Sequence, residues 1–168
     1  MPEDIVSSVI RQWAEVLPGL DLEPMEIVGR LYRCANLLHL SADAPLATSG
    51  LTRPEYDVLS ALLRVGADVT PSRLARETFA SGAAVTKRIR ALEARGLVAR
   101  TVDDHDRRVA RLSLTEAGRG LVEQVTPRQI EYERTILADL GPDERAELSR
   151  LLSHLLITLE GRFGGLAR

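Results

Sequence analysis

Between Ser81 and Gly96 the chain sets two cations, Lys87 and Arg90, on one side of a helical repeat whose other side is apolar. Advancing about 100° per residue puts Ile89 and Leu92 within roughly 40° of Val85, so the three form one seam. Ala83, Lys87, Arg90 and Ala94 lie opposite, with Thr86 on one shoulder. Ser81, Ala83 and Ala84 are small enough for a polyanion backbone to come close, while Lys87 and Arg90 can reach phosphate oxygens or guanine edges. A second constellation follows at Asp106-Arg107-Arg108. Asp106 stands two residues before Arg108, so its carboxylate can orient the guanidinium, and a pre-aimed arginine suits a narrow, negative minor groove. Arg107 fits a phosphate contact. Both patterns also admit plainer readings, a solvated basic helix face and a soluble turn.

Other chemistry finds little support. One cysteine, Cys34, excludes an internal disulfide and a thiolate metal cage, and His39, His105 and His154 give no helical ligand pair. No Ser/His/Asp set, carboxylate pair or phosphate loop converges, so no enzyme, metal or cofactor is expected. No apolar run reaches the ~18 residues that span a bilayer, and Met1-Pro2-Glu3-Asp4 does not begin a signal peptide. A cytoplasmic protein without a membrane partner is expected. The net charge of −2 conceals an asymmetry: residues 70–111 carry +5, residues 1–69 carry −5 and residues 112–168 carry −2. A basic middle between acidic flanks suits a polyanion such as double-stranded DNA, and the flanks orient its approach.

The elements that must hold these groups are legible from period and punctuation. Residues 4–17 repeat Ile5, Val6, Val9, Ile10, Trp13, Val16 and Leu17 at helical spacing until Pro18-Gly19. Pro24 opens a second helix to about Leu40, residues 41–51 read as a connector, and Thr52 with Glu55 reads as a capping box for a helix ending at Gly66. Thr70-Pro71 opens a helix to about Thr78, and Ser81 caps the next, which Gly96 stops. The period then alternates over 97–101 and 109–114, a hairpin with a charged tip. Thr115 caps a long helix with a kink expected at Pro127, and Gly141-Pro142 begins the last. There Leu148, Leu151, Leu152, Leu155, Leu156 and Leu159 recur at three and four, a stripe wider than a small domain can cover. A second copy of the chain is the economical cover, with an intrachain core as the alternative. The expected fold is mainly α with a small β-hairpin wing, a winged helix-turn-helix at 51–115 between helical dimerisation segments at 1–50 and 116–168.

Several stretches resemble the MarR family of bacterial transcriptional regulators. They are Leu51-Thr52 through Glu55-Tyr56-Asp57-Val58-Leu59, then Leu74-Ala75, Val85-Thr86-Lys87-Arg88, and Leu92-Glu93-Ala94-Arg95-Gly96-Leu97-Val98-Ala99-Arg100. The run from Asp106-Arg107-Arg108 to Leu112-Ser113-Leu114-Thr115-Glu116-Ala117-Gly118 is the most specific. The likeness covers about residues 25–160. It implies a homodimer on a pseudo-palindromic operator, repressing until a small, often anionic aromatic effector lodges between the dimerisation and DNA-binding parts.

The additional amino-terminal helix with its tryptophan resembles the urate-responsive branch of that family, in which the ligand site uses this tryptophan, an aspartate, a recognition-helix arginine and an asparagine. Trp13, Asp57 and Arg88 match the first three, and the fourth departs, with Val65 near the place of the asparagine. The effector class implied is a phenolic or purine-like acid. Independently, the wheel sets Arg88 beside the apolar seam, facing the protein body, where Asp57 is a candidate partner. A static ion pair with Trp13 as ordinary core is the plainer reading. Another branch senses peroxide through a cysteine placed earlier than Cys34, which on an apolar stripe reads as core. Two rival functions fit the same residues: a constitutive DNA-binding protein without a sensor, and a winged-helix module that docks on protein.

Overall fold

A computed structural model describes residues 3–102 and 110–163. Its elements are α1 (Ile5–Val16), α2 (Glu23–Ser41), a 3-10 helix (Ala44–Ser49), α3 (Arg53–Val65), α4 (Pro71–Glu77), α5 (Gly82–Ala94), β1 (Val98–Val102), β2 (Ala110–Leu114), α6 (Glu116–Ile136) and α7 (Pro142–Phe163). The fold is mostly helical with one antiparallel hairpin, as the periods predict. No helix among the described residues is long and apolar enough to cross a membrane. Contacts divide the chain into two compact units, Met1–Ala44 and Pro45–Arg168.

In the first unit, Asp4 caps α1 by accepting the Ser7 backbone N–H at 2.9 Å, and its other carboxylate oxygen accepts from Arg30 Nε on α2 at 2.9 Å. The Ser7 amide, followed by the Arg30 guanidinium, holds the Asp4 carboxyl below its ordinary pKa. Gly29 lets the two helices close up, because a Cβ there would stand 3.1 Å from a Val6 methyl. Neither helix has a buried residue. Cys34, which its stripe marks as core, is exposed in the single chain, as are Trp13, Ile27 and Leu38.

The second unit holds the core. The connector expected at 41–51 contains the 3-10 helix, and its Leu46 is fully buried. At the start of α3, Glu55 Oε2 accepts from the Thr52 N–H at 2.9 Å and the Thr52 hydroxyl at 3.0 Å, within the expected capping box. Thr70 Oγ1 caps α4 through the Arg73 N–H at 3.3 Å, and Ser81 Oγ caps α5 through the Ala84 N–H, also at 3.3 Å. Each such cap contributes about 1 kcal/mol. Leu59, Leu62, Leu74, Ile89, Leu112 and Val122 interlock around one centre with Val85 and Leu92. Strands β1 and β2 pair Val98 with Leu114 and Arg100 with Leu112. Leu112 is bridged on its other side by Val69, through bonds of 3.1 and 2.9 Å, which ties the hairpin to the segment ahead of α4.

Where the hairpin hands over to α6, the Leu97 carbonyl accepts the Thr115 N–H at 3.2 Å and the Thr115 hydroxyl donates to the Gly96 carbonyl at 2.7 Å. Thr115 Oγ1 also caps α6 by accepting the Gly118 N–H at 3.0 Å. Gly118 is buried there, and a Cβ on it would fall 2.0 Å from the Leu97 carbonyl oxygen. Only glycine permits this approach. Further along, Pro127 lies inside α6 without ending it. It removes the hydrogen bond owed to the Glu123 carbonyl and borders an open concavity of about 540 Å³ lined by Leu63, Glu123, Thr126, Ile130, Glu131 and Arg134.

Candidate nucleic-acid interface

Helix α5 divides as its sequence requires. Val85, Ile89 and Leu92 are buried, whereas Ser81, Ala83, Lys87, Arg90 and Ala94 are exposed, with Ala84 and Thr86 between. The Thr86 hydroxyl donates to the Gly82 carbonyl at 2.8 Å, folded back on its own helix. The C-terminal end of α5 is fixed differently: Arg95 Nη1 lies 3.5 Å from Glu55 Oε1, so the carboxylate that caps α3 also holds the far end of α5. The helix thus rests on a filled core and presents two cations among small side chains, the surface that phosphate and base-edge contact requires. Asp106, Arg107 and Arg108, expected at the hairpin tip, lie outside the described residues.

The three residues assigned to an effector fall in both units. Trp13 is on α1, while Asp57 on α3 and Arg88 on α5 belong to the second unit. Asp57 and Arg88 are each partly buried but not paired with each other. The Asp57 partner is Arg53 one turn earlier on the same helix, whose Nε donates to Oδ1 at 2.9 Å. Arg53 also reaches Glu133 Oε1 on α6 at 3.3 Å and lies over the Tyr56 ring at 5.9 Å. Partial burial disfavours the Arg53 charge, yet the Asp57 hydrogen bond and the neighbouring carboxylates carry its pKa above the ordinary value. Nothing in the sequence singles out Arg53, because an arginine in a helix's first turn reads as solvated. Nor does it point to Gln129, buried on α6 with Nε2 donating to Glu133 Oε1 at 2.8 Å.

The leucines of α7 are uncovered in the single chain. Leu148, Leu151, Leu152, Leu156 and Leu159 are exposed, Leu151 and Leu156 to about half their area (50% and 52%), and Leu155 is intermediate. On α6 and at its C-cap the apolar stripe splits: Val122 and Val125 are buried, whereas Ile130, Ile136 and the C-cap Leu137 are exposed.

Comparison with known proteins establishes what this architecture is. A family model described as "MarR family" matches residues 49–109. The HTH-type transcriptional regulator PecS of Dickeya dadantii is 32% identical over 152 residues, 89% of this chain and 92% of PecS. The chain belongs to the MarR family. A further relative, the transcriptional activatory protein BadR of Rhodopseudomonas palustris, is 32% identical over 78% of this chain and 75% of its own length. Among solved structures, BpsR of Bordetella bronchiseptica superposes with a TM-score of 0.69 at 32% identity, over 76% of this chain and 91% of BpsR. Its DNA binding is regulated by 6-hydroxynicotinic acid. As a MarR-family protein, the chain is a DNA-binding transcriptional regulator and not an enzyme. The urate-responsive branch, which the amino-terminal tryptophan resembles, finds no confirmation among these relatives.

Proposed function

We propose that this chain is a homodimeric repressor that sets α5 of each subunit in the major groove of a pseudo-palindromic operator and is released by a small anionic aromatic acid. The observation that carries the DNA-facing part is the divided face of α5, with its seam in the core and Lys87 and Arg90 presented to solvent. Ser81, Ala83, Ala84 and Thr86 complete that face, and Asp106, Arg107 and Arg108 are assigned to the wing contact. The repressor reading is supported by size: a dimer occupying two half-sites about one helical turn apart would exclude polymerase from an overlapping promoter without needing an activating surface.

The test is a salt-titrated mobility shift on duplexes selected from a random-sequence pool. Lys87→Ala should reduce the slope of log K against log salt by about one phosphate contact. Arg108→Ala should weaken the selected duplex by about 1–3 kcal/mol. Unchanged affinity and slope in both variants would remove α5 and the wing from the interface. A protein-docking module would show no salt-dependent affinity for duplex at all. For the sign of control, removing the regulator should raise transcription from a promoter carrying the selected site; a fall would make the chain an activator, the role that BadR's name gives that relative.

The effector reading rests on similarity to BpsR and on Arg88, a partly buried cation beside the α5 seam to which Asp57 is not bonded. An aromatic carboxylate or purine-like acid held by Arg88 would act on α5 directly. Trp13, assigned to the same effector by resemblance, is the only tryptophan and stands 40% exposed. Titration with hydroxylated pyridine carboxylates and with urate should change its emission saturably and weaken operator binding about tenfold. Arg88→Ala should abolish both responses. A flat titration with every acid leaves the constitutive DNA-binding protein as the better description.

A further inference from the structure

The turn joining α4 to α5 contains a residue that the core does not explain. Phe79 has φ of +51°, the left-handed region that a bulky side chain avoids and that glycine or asparagine enters freely. The turn uses that conformation to bring the chain round. The Phe79 N–H reaches the Arg76 carbonyl at 3.4 Å, the Ala80 N–H bonds the Ala75 carbonyl at 3.1 Å, and Ala80 packs against the core. Ala80 is thereby turned in and Phe79 out. Phe79 is 89% exposed, the highest value among the large apolar residues described. The backbone favours a different residue and the core gains nothing from this one.

Its position suggests what covers it. Phe79 precedes the N-cap of α5 by two residues, so its Cα lies within about 7 Å of the Ser81 Cα. Ser81 and Ala83 continue the exposed strip, and the whole turn lies within the stretch of net charge +5. An apolar ring at the rim of a cationic face needs an apolar feature on the polyanion. The major groove offers one on base edges, the thymine 5-methyl group, against which phenylalanine packs well.

We propose that Phe79 is a specificity-determining residue whose ring packs on a thymine methyl at the edge of the half-site read by α5. This rests on the docking of α5 in the major groove. No polar group need be satisfied there, so the contact can tell thymine from cytosine, and from uracil, by the methyl alone.

The experiment is a double-mutant cycle on the selected duplex, replacing thymine by uracil one position at a time and Phe79 by Asn. Asparagine tolerates the left-handed backbone, so Phe79→Asn should melt no lower than the parent protein. The parent should lose about three- to tenfold in affinity at one half-site-edge uracil. Phe79→Asn should lose a similar factor on the thymine duplex and ignore uracil at that position. Full affinity in Phe79→Asn overturns the proposal. So does a loss that is equal on thymine and uracil duplexes, which would mark a sugar or phosphate contact instead. Lys87→Ala measured alongside keeps the two readings apart. An unchanged salt slope there refutes the docking of α5, whereas a reduced slope with no thymine coupling at Phe79 refutes only the methyl contact.

Discussion

Gly118→Ala should cost the fold about 3 kcal/mol and lower its melting temperature by roughly 10 °C. Alanine is ordinarily the better helix residue by about 1 kcal/mol, so intrinsic propensity predicts the opposite sign. Contact decides it. The added methyl would sit 2.0 Å from the Leu97 carbonyl oxygen, a main-chain atom that cannot rotate aside. Either α6 lifts from the hairpin, losing the Thr115 bonds to the Leu97 and Gly96 carbonyls, or the end of α5 shifts with Leu97. Gly120 supplies the internal control, since it lies two residues on in the same helix and a methyl there would meet nothing within 4 Å. Gly120→Ala should leave the melt unchanged or raise it slightly. Matching melts for the two variants would show that α6 does not press on Leu97 as described.

Leu152→Glu on α7 should turn a dimer into a monomer and cut operator affinity by at least about 100-fold, the factor lost when two linked half-site contacts become independent. Leu152 is 43% exposed in the single chain, so a charge there does little to the isolated fold, whereas between two chains it would be buried without a partner. Sedimentation velocity and mobility shift should therefore change together while the far-ultraviolet spectrum does not. A Leu152→Glu protein that still sediments as a dimer would move the dimer contact to α1, α2 or the outer part of α6, where Ile27, Leu38, Ile130 and Ile136 are also uncovered.

Helix limits are largely legible because the signals that set them are local: Asp4, Thr52, Thr70, Ser81 and Thr115 lie at the caps, and Gly66 and Gly96 adopt positive φ at the stops. The seam of α5 is legible for the same reason, one periodic face meeting one core. What escapes the sequence depends on distant partners or on backbone conformation. Leu46, in a stretch that reads as a connector, is buried by elements that follow it, and Val69 joins the hairpin through a single bridge to Leu112 that no alternation announces. The helical wheel offers Asp57 as a partner for Arg88, whereas Arg53 takes it by being one turn away on the same helix. Cys34 and the α1–α2 stripes read as core by period, but period does not say whether the covering surface belongs to the same chain. Phe79 carries no signal, since its residue type opposes the conformation it adopts.

The contact between Arg95 and Glu55 makes the two ends of α5 mechanically unequal. Its C-terminal end is tied to the start of α3, whereas its N-terminal end is held by the packing of Val85 in the core and continues into the short turn at Phe79. A force applied midway, at Arg88, that loosened the packing of Val85 would swing the helix about the tied end like a lever. Thirteen residues at ~1.5 Å each give an arm of roughly 20 Å, so a tilt of about 10° carries Ser81 through some ~3 Å. That stroke exceeds the tolerance of a hydrogen bond, and it is delivered where the helix would meet the bases.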